Sequence, residues 1–157
     1  MSLEQDIANI LIERKLTIAT AESCTGGLLS SRLTDVAGSS AFIKFNIVTY
    51  ANEIKHKVLN VSSKTLETHG AVSPECAQEM VLGLKALTNA DICVATTGLA
   101  GPDGGTAEKP VGLCYIGILA QNKLSIKKLN FLPTAERKTL KQLFATSALE
   151  MVFTSLK

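Results

Sequence analysis

A strand that turns abruptly into a helix is written into the run Ala19-Thr20-Ala21-Glu22-Ser23-Cys24-Thr25-Gly26-Gly27, and the rest of the chain has to be laid out around it. Leu16 to Ala21 is short, apolar and partly β-branched, the pattern of a buried strand. Leu28-Leu29-Ser30-Ser31-Arg32-Leu33 repeats its apolar residues at helical spacing, and this helix runs to about Val36 before Gly38 stops it. A Ser, a Cys and a Thr in such a turn lie beside unpaired backbone N–H groups, with the positive end of a helix dipole behind them. That environment holds a developing anion. Gly26 and Gly27 allow a ligand or another chain to approach the backbone closely. Taken alone, Ser-x-Thr-Gly-Gly reads first as a helix cap, so a catalytic reading needs support from elsewhere.

The other elements alternate in type. Leu3, Ile7, Ile10 and Leu11 mark a helix from Leu3 to Arg14, with Ser2 as its cap and Gln5 three residues later. Ala41 to Tyr50 reads as a long second strand whose Lys44 and Asn46 face water in part. Asn52 is positioned to cap a short helix holding Lys55 and Val58, and Ser62 to Thr68 forms another, ending at Gly70. Ser73-Pro74-Glu75 starts a strong helix through Met80, Val81, Leu84 and Leu87. Asp91 to Thr97 is a short apolar strand that opens into the glycine-rich stretch Gly98 to Thr106. Val111 to Leu119 and Leu124 to Phe131 form a hairpin through Gln121-Asn122-Lys123, although this turn lacks glycine. Thr134 caps a last helix with Arg137 in its first turn and Leu140, Leu143, Phe144, Ala148, Met151 and Val152 as its apolar stripe.

This order predicts a single domain over residues 1–157, α/β in class: a three-layer α/β/α sandwich around a mixed sheet. At 46% hydrophobic residues the chain has ample material for a packed core. In such folds ligands gather at the carboxyl ends of the strands. The turn after Ala21, the segment Tyr50 to Lys55 and the loop Gly98 to Gly105 each follow a strand, so the three converge on one edge of the sheet.

Composition removes several classes of function. Sixteen basic residues against fourteen acidic ones are spread along the chain, and aromatic residues are scarce, so neither a nucleic-acid footprint nor a base-stacking platform is present. Cys24, Cys76, Cys93 and Cys114 form no Cys-x-x-Cys pair, which suggests neither a zinc site nor a disulfide framework. No apolar run approaches membrane-spanning length, and the N-terminus lacks the layout of a signal peptide. The expectation is a cytoplasmic, soluble protein acting on a small molecule without metal or cofactor.

A serine attacks a carbonyl only where something accepts its proton and something holds the oxyanion. For Ser23 the N–H groups around Cys24 to Gly27 meet the second need. Neither His56 nor His69 sits in a motif of its own, which leaves Lys55 as the better base, provided burial or a positive field depresses its pKa. Tyr50 is placed to relay a proton or orient the amine. Taken singly, Lys55 reads as a solvated helix lysine and Tyr50 as a strand-end packing residue. The glycine loop, spaced Gly-x-x-Gly-x-x-Gly-Gly, fails both the P-loop and the dinucleotide patterns, yet its N–H groups are suited to cradling a phosphate, with charge from Lys109 or Arg137.

Four segments in order, Thr20 to Gly27, Val48-Thr49-Tyr50-Ala51-Asn52-Glu53, His69-Gly70-Ala71-Val72-Ser73, and Gly98 to Gly105 followed by Glu108-Lys109-Pro110-Val111-Gly112, resemble the CinA C-terminal domain family, which includes the nicotinamide mononucleotide deamidases. The resemblance covers nearly the whole chain. It implies an α/β/α fold and hydrolysis of the amide of nicotinamide mononucleotide to nicotinic acid mononucleotide and ammonia, in pyridine nucleotide recycling and with no metal. It matches Ser23 to the nucleophile, and Tyr50 and Lys55 to its supporting pair. Thr25, Gly26 and Gly27 would surround the oxyanion or the amide. Asn52 and the loop at Gly98, Gly101, Gly104 and Gly105 join the substrate site, the loop holding the ribose phosphate, with Arg137 in register. Phe45 and Asn46, and Ala135-Glu136 before Arg137, depart from the family pattern. The resemblance also implies the stand-alone form, without the amino-terminal molybdopterin-binding-like domain of some relatives, and the expectation that the chain works as a homo-oligomer. Two rivals stay open: an amidase that uses Cys24 with His69, and a nucleotide-binding regulatory module without turnover.

Overall fold

The computed structural model describes residues 1–157. Six helices surround five strands: α1 (Leu3–Arg14), β1 (Ile18–Glu22), α2 (Leu28–Thr34), β2 (Ile43–Val48), α3 (Asn52–Leu59), α4 (Ser63–Thr68), α5 (Pro74–Thr88), β3 (Ile92–Gly98), β4 (Leu113–Ala120), β5 (Lys123–Asn130) and α6 (Arg137–Ser155). The sheet runs β2-β1-β3-β4-β5. β1 is parallel to both β2 and β3, whereas β4 and β5 are antiparallel to their neighbours, so the sheet is mixed.

Alternation along the inner strands divides the core in two. Ile18 and Val94 point into a cluster with Ile7, Leu11, Leu33 and Phe144, from α1, α2 and α6. Ala19, Ala21, Cys93 and Ala95 point the other way, into a cluster with Leu59, Met80, Val81 and Leu84 from α3 and α5. Every residue of β1 is buried, as a strand covered on both faces must be. The three-layer α/β/α sandwich follows from these two cores.

Most element boundaries agree with the sequence expectations, and the exceptions have local causes. Ser39–Ala41 forms a turn of 3₁₀ helix, so β2 begins at Ile43 rather than Ala41. Asn52 is the first residue of α3 rather than its cap: Ala51 takes that place, its carbonyl accepting from the N–H groups of Ile54 and Lys55. Likewise Glu136, not Thr134, precedes α6, with no side-chain cap, which makes Arg137 the first helical residue. The hairpin between β4 and β5 turns on Gln121 and Asn122 alone, both at positive φ (52° and 60°). That is the geometry of a tight two-residue turn, met here by asparagine in place of glycine. Ser2, Ser62 and Ser73 do cap α1, α4 and α5 through their hydroxyls. No helix is long and apolar enough to cross a membrane.

One glycine governs where α3 sits. A Cβ on Gly83, in the middle of α5, would lie 1.8 Å from the carbonyl oxygen of Leu59, the last residue of α3. Backbone cannot yield as a flexible side chain does, so Gly83→Ala has to push α3, and Lys55 with it, off α5. We expect a loss of about 3 kcal/mol of unfolding free energy in urea titration.

Candidate active site

Parallel pairing brings three chain segments to one edge of the sheet. Glu22 lies opposite Val48 on one side and Thr96 on the other, so the turn after β1, the segment after β2 and the end of β3 meet there. Between them is a cavity of about 240 Å³, lined among others by Ser23, Tyr50, Lys55, Gly98, Asp103 and Arg137. A larger groove of about 830 Å³ lies at the other end of the sheet, between β5 and the end of α6, and contains no comparable set of reactive groups.

Lys55 is the centre of this cavity's chemistry. Its side chain is buried to 1% exposure, and its Nζ lies 2.8 Å from Ser23 Oγ, 2.7 Å from the Thr49 carbonyl and 2.9 Å from the Tyr50 carbonyl. It forms no ion pair: the two salt bridges of the molecule are Arg32–Glu4 and His69–Glu75. Burial therefore pulls the pKa of Lys55 below 10.5, although the thiols of Cys76 and Cys24 act weakly in the opposite direction. Burial also pushes the Cys76 thiol up to about 11, which keeps it neutral beside the amine. A neutral amine has two hydrogens and one lone pair. As an ammonium Nζ donates to all three oxygens; once it is neutral, the two carbonyls take its hydrogens and its lone pair faces the hydroxyl of Ser23.

The turn carrying Ser23 differs in detail from the sequence expectation. Gly26 and Gly27 both adopt positive φ (61° and 103°), which a side chain would strain. They do not line the cavity: the space beside them faces the Lys141 ammonium and Val48. The N–H of Gly27 donates to Glu22 Oε1, as does that of Leu29, and the N–H of Ser30 donates to Oε2. The positive end of α2 is thus satisfied by Glu22. The Thr25 hydroxyl also donates to Glu22, at 2.7 Å. Two N–H groups in the turn remain without an acceptor, those of Cys24 and Thr25, immediately after Ser23. Both residues are buried (5% and 0% exposed), and buried donors left unpaired are rare. Of the two, Cys24 lines the cavity, whereas Thr25, expected beside the oxyanion or the amide, does not.

The remaining predicted residues divide in the same way. Tyr50 holds Lys55 through its carbonyl rather than its hydroxyl, which instead accepts from Arg137 Nη2 at 3.1 Å. Arg137 also donates to the Gly101 carbonyl and so ties the glycine loop to Tyr50. Asn52, Gly98 and Gly101 line the cavity. Gly104 and Gly105 do not: Gly104 faces Leu99, and Gly105 packs so tightly on Val111 that a Cβ would come within 2.9 Å. Lys109 is drawn away to the carbonyl of His69. His69 itself lies 3.7 Å from Glu75, and His56 bonds the Val61 carbonyl, so neither imidazole touches Ser23 or Cys24. The Cys24 thiol faces that of Cys114, Sγ to Sγ 3.8 Å, in the core.

Sequence reasoning passed over Glu22, Thr96 and Asp103. The signal for Glu22 was present: α2 opens with Gly27, which has no side chain to cap it, and an acid stands five residues earlier.

Comparison with known proteins follows the same lines. The family model for the CinA C-terminal domain matches residues 1–156. A CinA-like protein of Desulforapulum autotrophicum is 49% identical over 149 residues, 95% of this chain and 35% of that protein. A CinA-like protein of Chlorobaculum tepidum is 47% identical over 160 residues, 100% of this chain and 38% of that protein. The chain thus spans about a third of the length of these curated relatives. Among solved structures, the competence/damage inducible protein CihA of Agrobacterium tumefaciens superposes with a TM-score of 0.93 at 37% identity, covering 100% of both chains. The competence damage-inducible protein A (ComA) of Klebsiella pneumoniae gives 0.93 at 36%, over 98% of this chain and 94% of that one.

Proposed function

The chain belongs to the CinA C-terminal domain family, and from that premise we propose that it is an amidohydrolase that converts nicotinamide mononucleotide to nicotinic acid mononucleotide and ammonia. The observation that carries this reading is the counter-ion-free Lys55 amine held between two carbonyls and the hydroxyl of Ser23.

In this mechanism Ser23 Oγ attacks the carboxamide carbon while its proton passes to Lys55 Nζ. The oxyanion that forms accepts from the N–H of Cys24, the unpaired donor of the turn whose residue lines the cavity. Collapse of the tetrahedral adduct expels ammonia, which takes the proton back from Lys55, and leaves nicotinate esterified to Ser23. Water, deprotonated by the same amine, then attacks the ester, and Ser23 recovers its proton as the acid is released. Arg137 and the Gly98-to-Gly101 segment, which line the same cavity, receive the ribose phosphate. The direct test is ammonia release from nicotinamide mononucleotide by the purified protein.

The reactive form is the one with Lys55 neutral, which fixes the sign of the pH dependence. We expect kcat/KM to rise with pH through one ionisation whose apparent pKa lies below the 10.5 of an exposed lysine, because burial disfavours the ammonium. A pH–rate profile reads this directly.

A cysteine nucleophile would need a base bonded to it, and the one hydrogen-bond partner of the Cys24 thiol is the Cys114 thiol, itself raised above 9.0 by burial, whereas the Lys55 amine is bonded to Ser23. Cys24→Ala keeps the backbone N–H and is expected to retain activity within about tenfold, the loss coming from packing alone. Assay of this variant beside the parent separates the serine from the cysteine mechanism.

A further inference from the structure

Glu22 is fully buried and no cation pairs with it. Its oxygens instead accept five hydrogen bonds. Three reach Oε1, from the Thr25 hydroxyl (2.7 Å) and the N–H groups of Gly27 (3.2 Å) and Leu29 (2.9 Å). Two reach Oε2, from the N–H of Ser30 (3.0 Å) and its hydroxyl. The directions of neighbouring bonds follow. Since the Thr25 proton goes to Glu22, the Thr96 hydroxyl, 2.8 Å from Thr25 Oγ1, must donate to Thr25. Thr96 in turn accepts from the N–H of Ser23 through its carbonyl at 3.0 Å. Every residue from Ser23 to Ser30 whose N–H or hydroxyl is bonded to Glu22 lies on the turn that carries the nucleophile or on the helix it opens.

We propose that Glu22 is a positioning residue for the reaction: it gathers the donors of the turn and of the α2 N-terminus onto itself and thereby fixes the backbone in the conformation that leaves the N–H of Cys24, which lines the cavity, free for the oxyanion. This rests on the amidohydrolase reading of Ser23. Without the carboxylate, the N–H groups of Gly27, Leu29 and Ser30 are orphans that the turn must rearrange to satisfy. With it, the positive end of α2 is already neutralised, and stabilisation of the oxyanion falls to that fixed donor, the Cys24 N–H. Glu22 touches neither substrate nor Ser23 Oγ, so its effect is on the transition state and not on nucleotide binding.

The experiment uses Glu22→Gln, which keeps the shape but turns an amide NH₂ toward N–H donors, and Ser30→Ala, which deletes one of the five donors. Both are checked for the parent's circular dichroism and cooperative unfolding. Each is assayed for ammonia release from nicotinamide mononucleotide and for binding of pyridine-3-boronic acid. Ser23 Oγ adds to that boron to give a tetrahedral anion: the O–B bond forms, the Ser23 O–H bond breaks as its proton passes to Lys55, and no group leaves the boron. Glu22→Gln is expected to lower kcat about a hundredfold with KM unchanged, and to weaken boronate binding by a similar factor. Ser30→Ala is expected to lower both by a factor of about 3 to 10, and it decides the matter if Glu22→Gln does not fold. Folded variants with the parent's kcat and boronate affinity would overturn the proposal, as would a loss confined to KM. A parent that captures the boronate in a Glu22-dependent way, yet releases no ammonia from the nucleotide, would sink that substrate reading and leave the role of Glu22 standing.

Discussion

Ser23→Ala is expected to reduce kcat for ammonia release by about 10⁶-fold while the protein still folds and still binds nicotinamide mononucleotide. The size follows from the loss of the covalent route. Without Oγ there is no acyl intermediate, and Lys55 has lost the one hydroxyl bonded to it. Binding survives because Arg137, the Gly98-to-Gly101 segment and Asn52 are untouched by the change. The hydroxyl makes one contact, to Lys55 Nζ at 2.8 Å, so its removal leaves the fold intact. Calorimetric titration with nucleotide, beside single-turnover ammonia release, separates the two effects. A variant that lost binding as well as turnover would mean that Ser23 holds substrate rather than attacks it.

Lys55→Met is the second large effect, about 10⁴-fold in kcat, since the base is removed and the nucleophile is kept. Methionine fills most of the buried volume but leaves the Thr49 and Tyr50 carbonyls without their donor, and each unpaired acceptor costs about 1–3 kcal/mol. Relief from burying an amine without a counter-ion offsets part of that. Urea titration is therefore expected to show a folded protein, while the rise of kcat/KM with pH disappears. Lys55→Arg should be equally inactive, because a guanidinium cannot give up its proton to become the base. If the arginine variant worked, a positive charge alone would suffice and the neutral-amine mechanism would fail.

The fold was legible where local rules act alone. Ser73-Pro74-Glu75 announces the start of α5, and the small apolar residues around Thr20 announce a strand buried on both faces. Convergence of the site was legible too, because parallel strands place the segments after Glu22, Val48 and Gly98 at one edge. Tertiary contacts decided the rest. Asn52 and Thr134 have the chemistry of caps, but the chain enters α3 through Ala51 and α6 through Glu136. Tyr50 matched a supporting role by residue type, whereas it is its carbonyl that reaches Lys55, an atom every residue carries. Glu22 had one mark in the sequence, the glycine that opens α2 without a cap, but its five donors, three of them backbone N–H groups, come together only in the folded turn. Gly104 and Gly105 read as phosphate cradle from composition, and their spacing does not reveal that they face Leu99 and Val111.

The central claim is that the Ser23–Lys55 pair hydrolyses the amide of nicotinamide mononucleotide, and the measurement that tests it most directly is the stoichiometry of products released by the purified protein. Ammonia and nicotinic acid mononucleotide are expected in equal amounts, over many turnovers and at a rate that increases with pH. Nucleotide that binds and is recovered unchanged, with no ammonia released, would contradict the claim and leave the cavity as a binding site alone.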